Sequence, residues 1–332
     1  MDPIRIVVTE PEYVKAERTF RQARDLDIRV CDWAEDALAR TVADHHAFGA
    51  ILGVEKYAGA LYDALPRKGI LARFGVGHDG VNKPLATARG LLVTNTPGVL
   101  EDAVAEHAIA LILGVAKNLN AFSLAMHAGE WTPRLGFELR GRTLGIVGCG
   151  GIGRRLARFA NAFGMTVLGA DPNPASHAEL ERDWGFSSVT ADLQEVLSQA
   201  QIVSLHVPAN ERTHHMVDAD LIDSMRDGAI LVNTARGPVV DEVAVYDALV
   251  SGKLASAALD VFEAEPYVPV DPARDLRLLP NVLLTPHVSS SSVEACERMA
   301  CASMENVRRA FAGAYDSLSL INVDVLETLS HS

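Results

Sequence analysis

Cysteine is scarce: Cys31, Cys149, Cys296 and Cys301 are the only four in 332 residues. None forms a CxxC pair or takes His/Cys ligand spacing, which argues against a disulfide framework and a structural zinc and suits isolated thiols in a reducing compartment. Basic charge is short as well. Lys and Arg number 30 against 43 Asp and Glu, a formal net charge of −13. Such a surface repels phosphate backbones and anionic lipid, so neither nucleic acid nor a membrane is an expected partner. A small anionic substrate stays open, because local arginines decide that. No apolar h-region follows the opening MDPIRIVVTE, so no secretory signal is expected. The most apolar long run, AVAEHAIALILGVAKNL (103–119), is interrupted by Glu106 and His107 and is short for a bilayer span. A cytoplasmic, metal-free protein is the expectation.

What is present is core material: 48% of residues are hydrophobic and 22% charged. At roughly 100–200 residues per domain the chain makes about two domains, with room for a cleft between them. The first hundred residues alternate β-branched runs (IRIVVT at 4–9, IRV at 28–30, GAILGV at 49–54, ILARFG at 70–75) with helical stretches such as PEYVKAERTFRQA and WAEDALARTVA. Strand–helix alternation implies a parallel sheet, hence a small α/β unit. A long helix is expected from TPGVLEDAVAEHAIALILGVAKNL, with Glu101 and Asp102 in its first turn, where negative charge suits the helix dipole.

The alternation then resumes at LGIVG (144–148), TVLGAD (166–171), QIVSLHV (201–207), AILVNT (229–234), SAALDV (256–261) and VLLT (282–285). These near-continuous apolar runs suit strands covered by helices on both faces. The helices DADLIDSMRDG and DEVAVYDALVSGK are each expected to end on a glycine cap, Gly228 and Gly252. A last amphipathic helix spans 291–313 and INVDVL closes the chain. This tail is too short for a third domain, so it should pack back on the leading unit.

Gly148, Gly150 and Gly153 satisfy G-x-G-x-x-G directly after a strand and at the start of a helix. The first permits the tight turn, the second lets the backbone approach a pyrophosphate, and the third lets helix and strand pack closely. The helix N-terminus offers N–H groups and a positive dipole end to phosphates. At the end of the second strand stands Asp171, placed to bind the adenosine ribose hydroxyls and to repel a 2′-phosphate, so NAD is favoured over NADP. Cys149, inside the turn, reads as a small filler.

Open α/β sheets bind ligands beyond the carboxyl ends of their strands. The polar residues there are His206 and Pro208, Arg236, Asp260 with Glu263 and Glu265, and His287. Hydride transfer to a 2-oxo acid needs a cation for the carboxylate and carbonyl, and a proton donor that titrates near neutrality; an arginine and a histidine supply these. A carboxylate on the far ring nitrogen orients the donor. Arg236, Glu265 and His287 form a coherent set, but spacing leaves Glu263 even with Glu265, and His206 competes with His287. Arg236 could instead pair with Asp241 or Glu242. His107, in the apolar helix, reads as packing.

With GVGHDGVN (75–82), VTNTPGVLEDAVAEHAIALIL (93–113), ELRGRTLGIVGCGGIG (138–153), LHVPANERTHHMV (205–217), LVNTARGPVVDE (231–242), ALDVFEAEP (258–266) and NVLLTPHVSSSS (281–292), nearly the whole chain resembles the D-isomer-specific 2-hydroxyacid dehydrogenases. The resemblance implies two Rossmann-like or flavodoxin-like α/β lobes with parallel sheets, the substrate lobe discontinuous: 1–100 plus 290–332, interrupted by an NAD-binding domain at 101–289. It places the catalytic arginine, glutamate and histidine on Arg236, Glu265 and His287. It places the nicotinamide carboxamide contact on Asp260, the adenine-side proline on Pro208, and backbone contacts to the cofactor on Gly151, Ile152, Thr234 and Ala235. The substrate carboxylate falls to the N–H groups of Val76 and Gly77, and homodimer pairing to the region of helix 101–120.

Two departures stand out. His78-Asp79-Gly80 replaces the usual aromatic or leucine with Asn, and Gly151 replaces a basic or polar side chain. His78, Lys56 and Tyr57 are open candidates for facing substrate. The expected activity is NAD-dependent interconversion of a small 2-oxo acid and its D-2-hydroxy acid, of the glyoxylate or hydroxypyruvate type. 3-Phosphoglycerate dehydrogenase activity is the alternative, and an NADH-sensing corepressor-like scaffold ranks below both.

Overall fold

The computed structural model describes residues 2–330; residues 1, 331 and 332, assigned above to the substrate lobe, lie outside the described residues. The chain divides into two compact units, Met1–Leu100 with Ser291–Ser332, and Glu101–Ser290.

The first unit is built on five parallel strands: β1 (Ile4–Thr9), β2 (Leu26–Cys31), β3 (Gly49–Leu52), β4 (Ile70–Arg73) and β5 (Leu92–Thr94). Their order is β2-β1-β3-β4-β5, the flavodoxin-like arrangement. Every residue of β3 and β4 is buried, as the apolar runs require of strands with both faces covered. Val7, Leu38, Leu52, Leu61, Tyr62, Leu71 and Val93 make one core. The helix Val293–Phe311 returns to this unit and buries the stripe Met299, Ala300, Met304 and Val307.

A segment beyond that helix covers the edge of β5. Ile321 N–H donates to Val93 O (2.8 Å), Val93 N–H donates to Asn322 Oδ1 (2.9 Å), and Asn322 Nδ2 donates to Leu91 O (2.9 Å). Two local readings change. PEYVKAERTFRQA is two short helices, Glu10–Lys15 and Glu17–Gln22, broken at Ala16 with φ −141° and ψ 35°, and β5 is an additional strand.

The second unit carries seven parallel strands: β6 (Thr143–Val147), β7 (Thr166–Ala170), β8 (Ser188–Thr190), β9 (Ile202–Leu205), β10 (Ala229–Asn233), β11 (Leu254–Leu259) and β12 (Val282–Leu284). The order β12-β11-β10-β9-β6-β7-β8 reverses direction beside β6, which is where such sheets take dinucleotides. Alternate strand residues feed two cores. Ile146, Ile202, Val232 and Ala258 join Ala105, Ile112 and Leu156 on one face; Val147, Val203, Leu231 and Leu259 join Ile222, Val245 and Leu249 on the other.

Gly252 caps the helix Glu242–Ser251 in the left-handed conformation, φ 84°. The expectation for Gly228 is corrected. The helix there, Ala219–Ser224, stops at an extended Met225, and Gly228 instead makes the turn into β10, its N–H donating to Lys253 O at 2.9 Å. The helix Glu101–Ala116 buries nine of its residues, whereas the following helix Leu119–His127 buries none. Among the described residues no single helix is long and apolar enough to cross a membrane.

Candidate active site

The strand β6 delivers the chain into the glycine turn. Gly148 takes φ +92° and passes so close to β9 that a side chain would begin 2.5 Å from His206 O, which only glycine allows. At Gly153 a side chain would collide with Gly148 O and crowd Ile146, so this position sets the helix–strand spacing. Around Gly150, by contrast, there is open space. The helix Gly151–Ala162 begins without a side-chain cap, leaving its first N–H groups aimed into that space. These features fit a pyrophosphate.

Asp171 follows β7 and is fixed from two sides: Cys149 N–H donates to Oδ2 (3.0 Å) and Asn173 N–H donates to Oδ1 (2.9 Å). The acid is thus tied to the glycine turn itself. Cys149 is buried, and burial, with the Asp171 charge beside it, pushes its thiol up to about 12. It is inert filler against Gly169.

Beyond β9 lies His206, whose Nε2 meets Ser204 Oγ at 2.9 Å. Its Nδ1 has no partner among the described residues. Burial pushes this imidazole down to about 4, so at neutral pH it lacks the second proton a general acid would give away. Pro208 is exposed and its carbonyl accepts from Thr213 Oγ1 at 2.6 Å. After β10, Thr234 and Ala235 are buried, and Thr234 Oγ1 has no partner among the described residues.

Arg236 comes next. Its carbonyl accepts from Asn233 Nδ2 (2.9 Å), and its Nη1 donates to Ala235 O (2.6 Å). The two acids offered by spacing have other work. Asp241 caps the helix Glu242–Ser251 through the N–H groups of Val243 (2.9 Å) and Ala244 (3.1 Å), and Glu242 Oε1 accepts from Glu263 N–H at 2.7 Å. Gly237 is essential to the layout: a side chain there would fall inside the peptide joining Phe262 to Glu263. The Arg236 turn therefore lies directly on the segment that carries Glu265.

β11 ends at Asp260, which is fully buried. Thr285 Oγ1 (2.6 Å) and Val288 N–H (2.9 Å) donate to Oδ1, Ser289 N–H (2.9 Å) donates to Oδ2, and His107 Nε2 stands 3.5 Å from Oδ1. Burial alone would raise this carboxyl; the donors from His107, Thr285, Val288 and Ser289 outweigh it and hold Asp260 below the usual carboxylate range. His107 is thus more than packing: its ring also meets Thr285 Oγ1 at 3.1 Å. No sequence signal marks that pairing across 178 positions.

The two acids that spacing leaves even take different partners. His287 Nδ1 and Glu265 Oε2 lie 2.6 Å apart, and Phe262 N–H donates to Glu265 Oε1 at 3.0 Å. Glu263 turns the other way, to His215 Nε2 at 3.0 Å. Beside it Glu242 is buried; burial, with the negative charges of Glu263, Glu265 and Asp241, raises its carboxyl. His287 itself sits in the left-handed region, φ +52°, with its N–H donating to Asp260 O at 2.7 Å. A non-glycine residue held there costs of order 1–3 kcal/mol and marks a position fixed by its surroundings. β10, β11 and β12 are adjacent, so Arg236, Asp260, Glu265 and His287 all rise from one stretch of sheet edge.

In the first unit, Val76 and Gly77 lie in the turn after β4, both half-buried. His78 Nδ1 is 3.1 Å from Lys83 Nζ, Lys56 is exposed, and Tyr57 is buried in the core. Sequence reasoning passes over Arg73 and Asn95 here; the signal for Arg73 is a charged residue ending a strand whose every position is buried.

Residues 109–289 match the family model described as D-isomer specific 2-hydroxyacid dehydrogenase, NAD binding domain. The chain is 36% identical to a glyoxylate reductase of Thermofilum pendens, covering 89% of this chain and 87% of the relative. It is 35% identical to a hydroxypyruvate reductase of Thermotoga maritima, covering 91% and 97%. In three dimensions it resembles the NADPH-dependent glyoxylate/hydroxypyruvate reductase of Sinorhizobium meliloti, solved with NADP and malonate, at TM-score 0.78, 33% identity and 94% coverage of each chain.

Proposed function

This chain belongs to the D-isomer-specific 2-hydroxyacid dehydrogenase family, NAD(P)-dependent oxidoreductases that interconvert 2-oxo and 2-hydroxy acids, and from that premise we propose that it reduces small 2-oxo acids of the glyoxylate and hydroxypyruvate type with NADH. The observation that carries the catalytic assignment is the 2.6 Å pairing of His287 Nδ1 with Glu265, on loops next to Arg236. Because Nδ1–H donates its hydrogen bond to the carboxylate, Nε2 is left to deliver a proton to the substrate carbonyl oxygen and to recover it in the reverse direction. Glu265 fixes tautomer and ring orientation. Arg236 presents a planar guanidinium to the carboxylate and carbonyl oxygen together. In the first unit, Val76 and Gly77 would offer backbone N–H groups to a substrate carboxylate.

The nicotinamide cofactor, when bound, supplies or accepts the hydride at the substrate carbon. Gly148, Gly150, Gly151, Ile152 and Gly153 would cradle its pyrophosphate, Asp171 its adenosine ribose and Pro208 its adenine. Thr234 and Ala235 would supply backbone contacts and Asp260 would take the carboxamide. The preference for NADH rests on Asp171: a fixed carboxylate repels a 2′-phosphate, and DPNPAS (171–176) holds no arginine to compensate.

Initial rates with glyoxylate, hydroxypyruvate, pyruvate, bulkier 2-oxo acids and 3-phosphohydroxypyruvate, each with NADH and NADPH, test this. Glyoxylate or hydroxypyruvate should give the highest kcat/KM, with NADH favoured at least about tenfold. No turnover across the panel defeats the proposal. Preference for NADPH defeats the Asp171 argument, and preference for the phosphorylated acid favours the 3-phosphoglycerate alternative.

Homodimer formation belongs to the same proposal. The helix Glu101–Ala116 is largely buried in its own unit, so the pairing surface falls to the neighbouring stretch 119–135, where Leu124 is 63% exposed, Trp131 83% and Leu135 99%. Apolar side chains this exposed and this close in sequence suit a protein interface. Sedimentation should give a dimer, and Leu124→Glu should shift it toward monomer; a monomeric wild type at micromolar concentration removes the idea. A cytoplasmic location is proposed on the four free thiols.

A further inference from the structure

We propose that Arg73 and Asn95 are positioning residues that aim the backbone N–H groups of Gly77 and His78 at the substrate carboxylate. The inference rests on the reading of the Val76–Gly77 turn as the carboxylate holder. It goes further in saying what makes a turn of ordinary backbone into a directed set of donors.

The argument is one of peptide geometry. In a trans peptide the C=O of one residue and the N–H of the next point in opposite directions, and the one cis peptide among the described residues is Glu265–Pro266. Whatever grips a carbonyl from one side therefore turns the following N–H to the other. Three consecutive carbonyls are gripped here. Thr96 N–H donates to Gly75 O at 3.0 Å, Asn95 Nδ2 donates to Val76 O at 2.8 Å, and Arg73 Nε donates to Gly77 O at 2.7 Å. The N–H groups next in the chain belong to Val76, Gly77 and His78. Successive N–H groups turned to one side make an anion-binding concavity, and two of the three grips come from side chains.

Both side chains are anchored independently of the turn. Arg73 is 3% exposed at the end of β4, and its Nη1 donates to Leu52 O at 2.6 Å and to Gly53 O, so the guanidinium ties the turn to the end of β3. Only a planar fork with several donors spans these carbonyls at once; an ammonium on a flexible stem does not. Asn95 is oriented from its far side. Ser319 Oγ donates to Asn95 Oδ1 at 2.8 Å, which leaves Nδ2 facing Val76 O, and Asn306 Nδ2 donates to Asn95 O at 3.0 Å. The returning C-terminal segment thereby sets the direction of a donor group that lies in another loop.

The decisive variant is Asn95→Asp. It keeps the shape and the acceptor for Ser319 but sets a carboxylate oxygen against Val76 O. KM for glyoxylate and Ki for oxalate, a carboxylate probe, should rise together by about tenfold, the worth of one well-placed hydrogen bond. kcat should stay within about twofold and NADH binding, read by fluorescence, should be unchanged. Ser319→Ala should move KM and Ki the same way by roughly twofold to threefold, and Arg73→Lys should exceed it. Asn95→Asp with wild-type KM and Ki, in an enzyme that oxalate inhibits, overturns the proposal. So does a variant that only melts lower, or that loses kcat and NADH affinity while KM holds. A wild type that neither reduces 2-oxo acids nor binds oxalate defeats the carboxylate-site reading and this proposal with it.

Discussion

His287→Asn is expected to lower kcat about a thousandfold, within the range that general acid–base groups supply, while the NADH dissociation constant stays within about twofold. Asn is the chosen replacement because the backbone at this position is left-handed, φ +52°, and Asn tolerates that region better than most residues. The bond from the residue 287 N–H to Asp260 O, 2.7 Å, survives the change, so the loop stays where it is. What disappears is a group able to carry a proton from Nε2 while Nδ1 is held by Glu265. A thousandfold corresponds to about 4 kcal/mol of lost transition-state stabilisation. Stopped-flow and steady-state rates at saturating NADH check it; more than a tenth of wild-type kcat would move the proton to another donor.

Gly237→Ala is expected to be the most damaging single-methyl change in the nucleotide unit. The added carbon has no room beside the Phe262–Glu263 peptide, and backbone on both sides prevents the relaxation that a flexible side chain would allow. Overpacking of this kind costs about 3 kcal/mol, which for a domain of this size lowers the melting temperature by roughly 6–12 °C. Because the displaced segment carries Glu265, kcat should also fall at least about tenfold. Calorimetry and rates on one preparation decide it: a variant that melts within about 2 °C of wild type and retains its kcat shows that the two backbones have slack.

How much of this is legible in the sequence depends on how local each feature is. The long apolar runs of β1, β6, β9 and β10 announce themselves, because a strand covered on both faces needs little but bulk. β5 and β8 do not: three residues each, they are strands only because neighbours supply the ladder. Gly228 misleads for the same reason, since the pattern of its helix runs on past the point where Met225 turns extended. Polar residues at strand ends are readable as candidates, but their partners are not. Glu263 and Glu265 differ by two positions, and only the folded loop sends one to His215 and the other to His287. Arg73 and Asn95 are the hardest cases, because what they hold is main chain, which leaves no complementary residue type to search for.

The edge of β5 is closed by Ser319–Asn322, residues that come after the entire nucleotide unit in the chain. On a ribosome adding roughly 5–20 residues per second, the interval between making β5 and making its cover is about 11 to 45 seconds. Throughout that time an open strand edge of the leading lobe faces whatever else is nearby, and the lobe synthesised first is the one completed last.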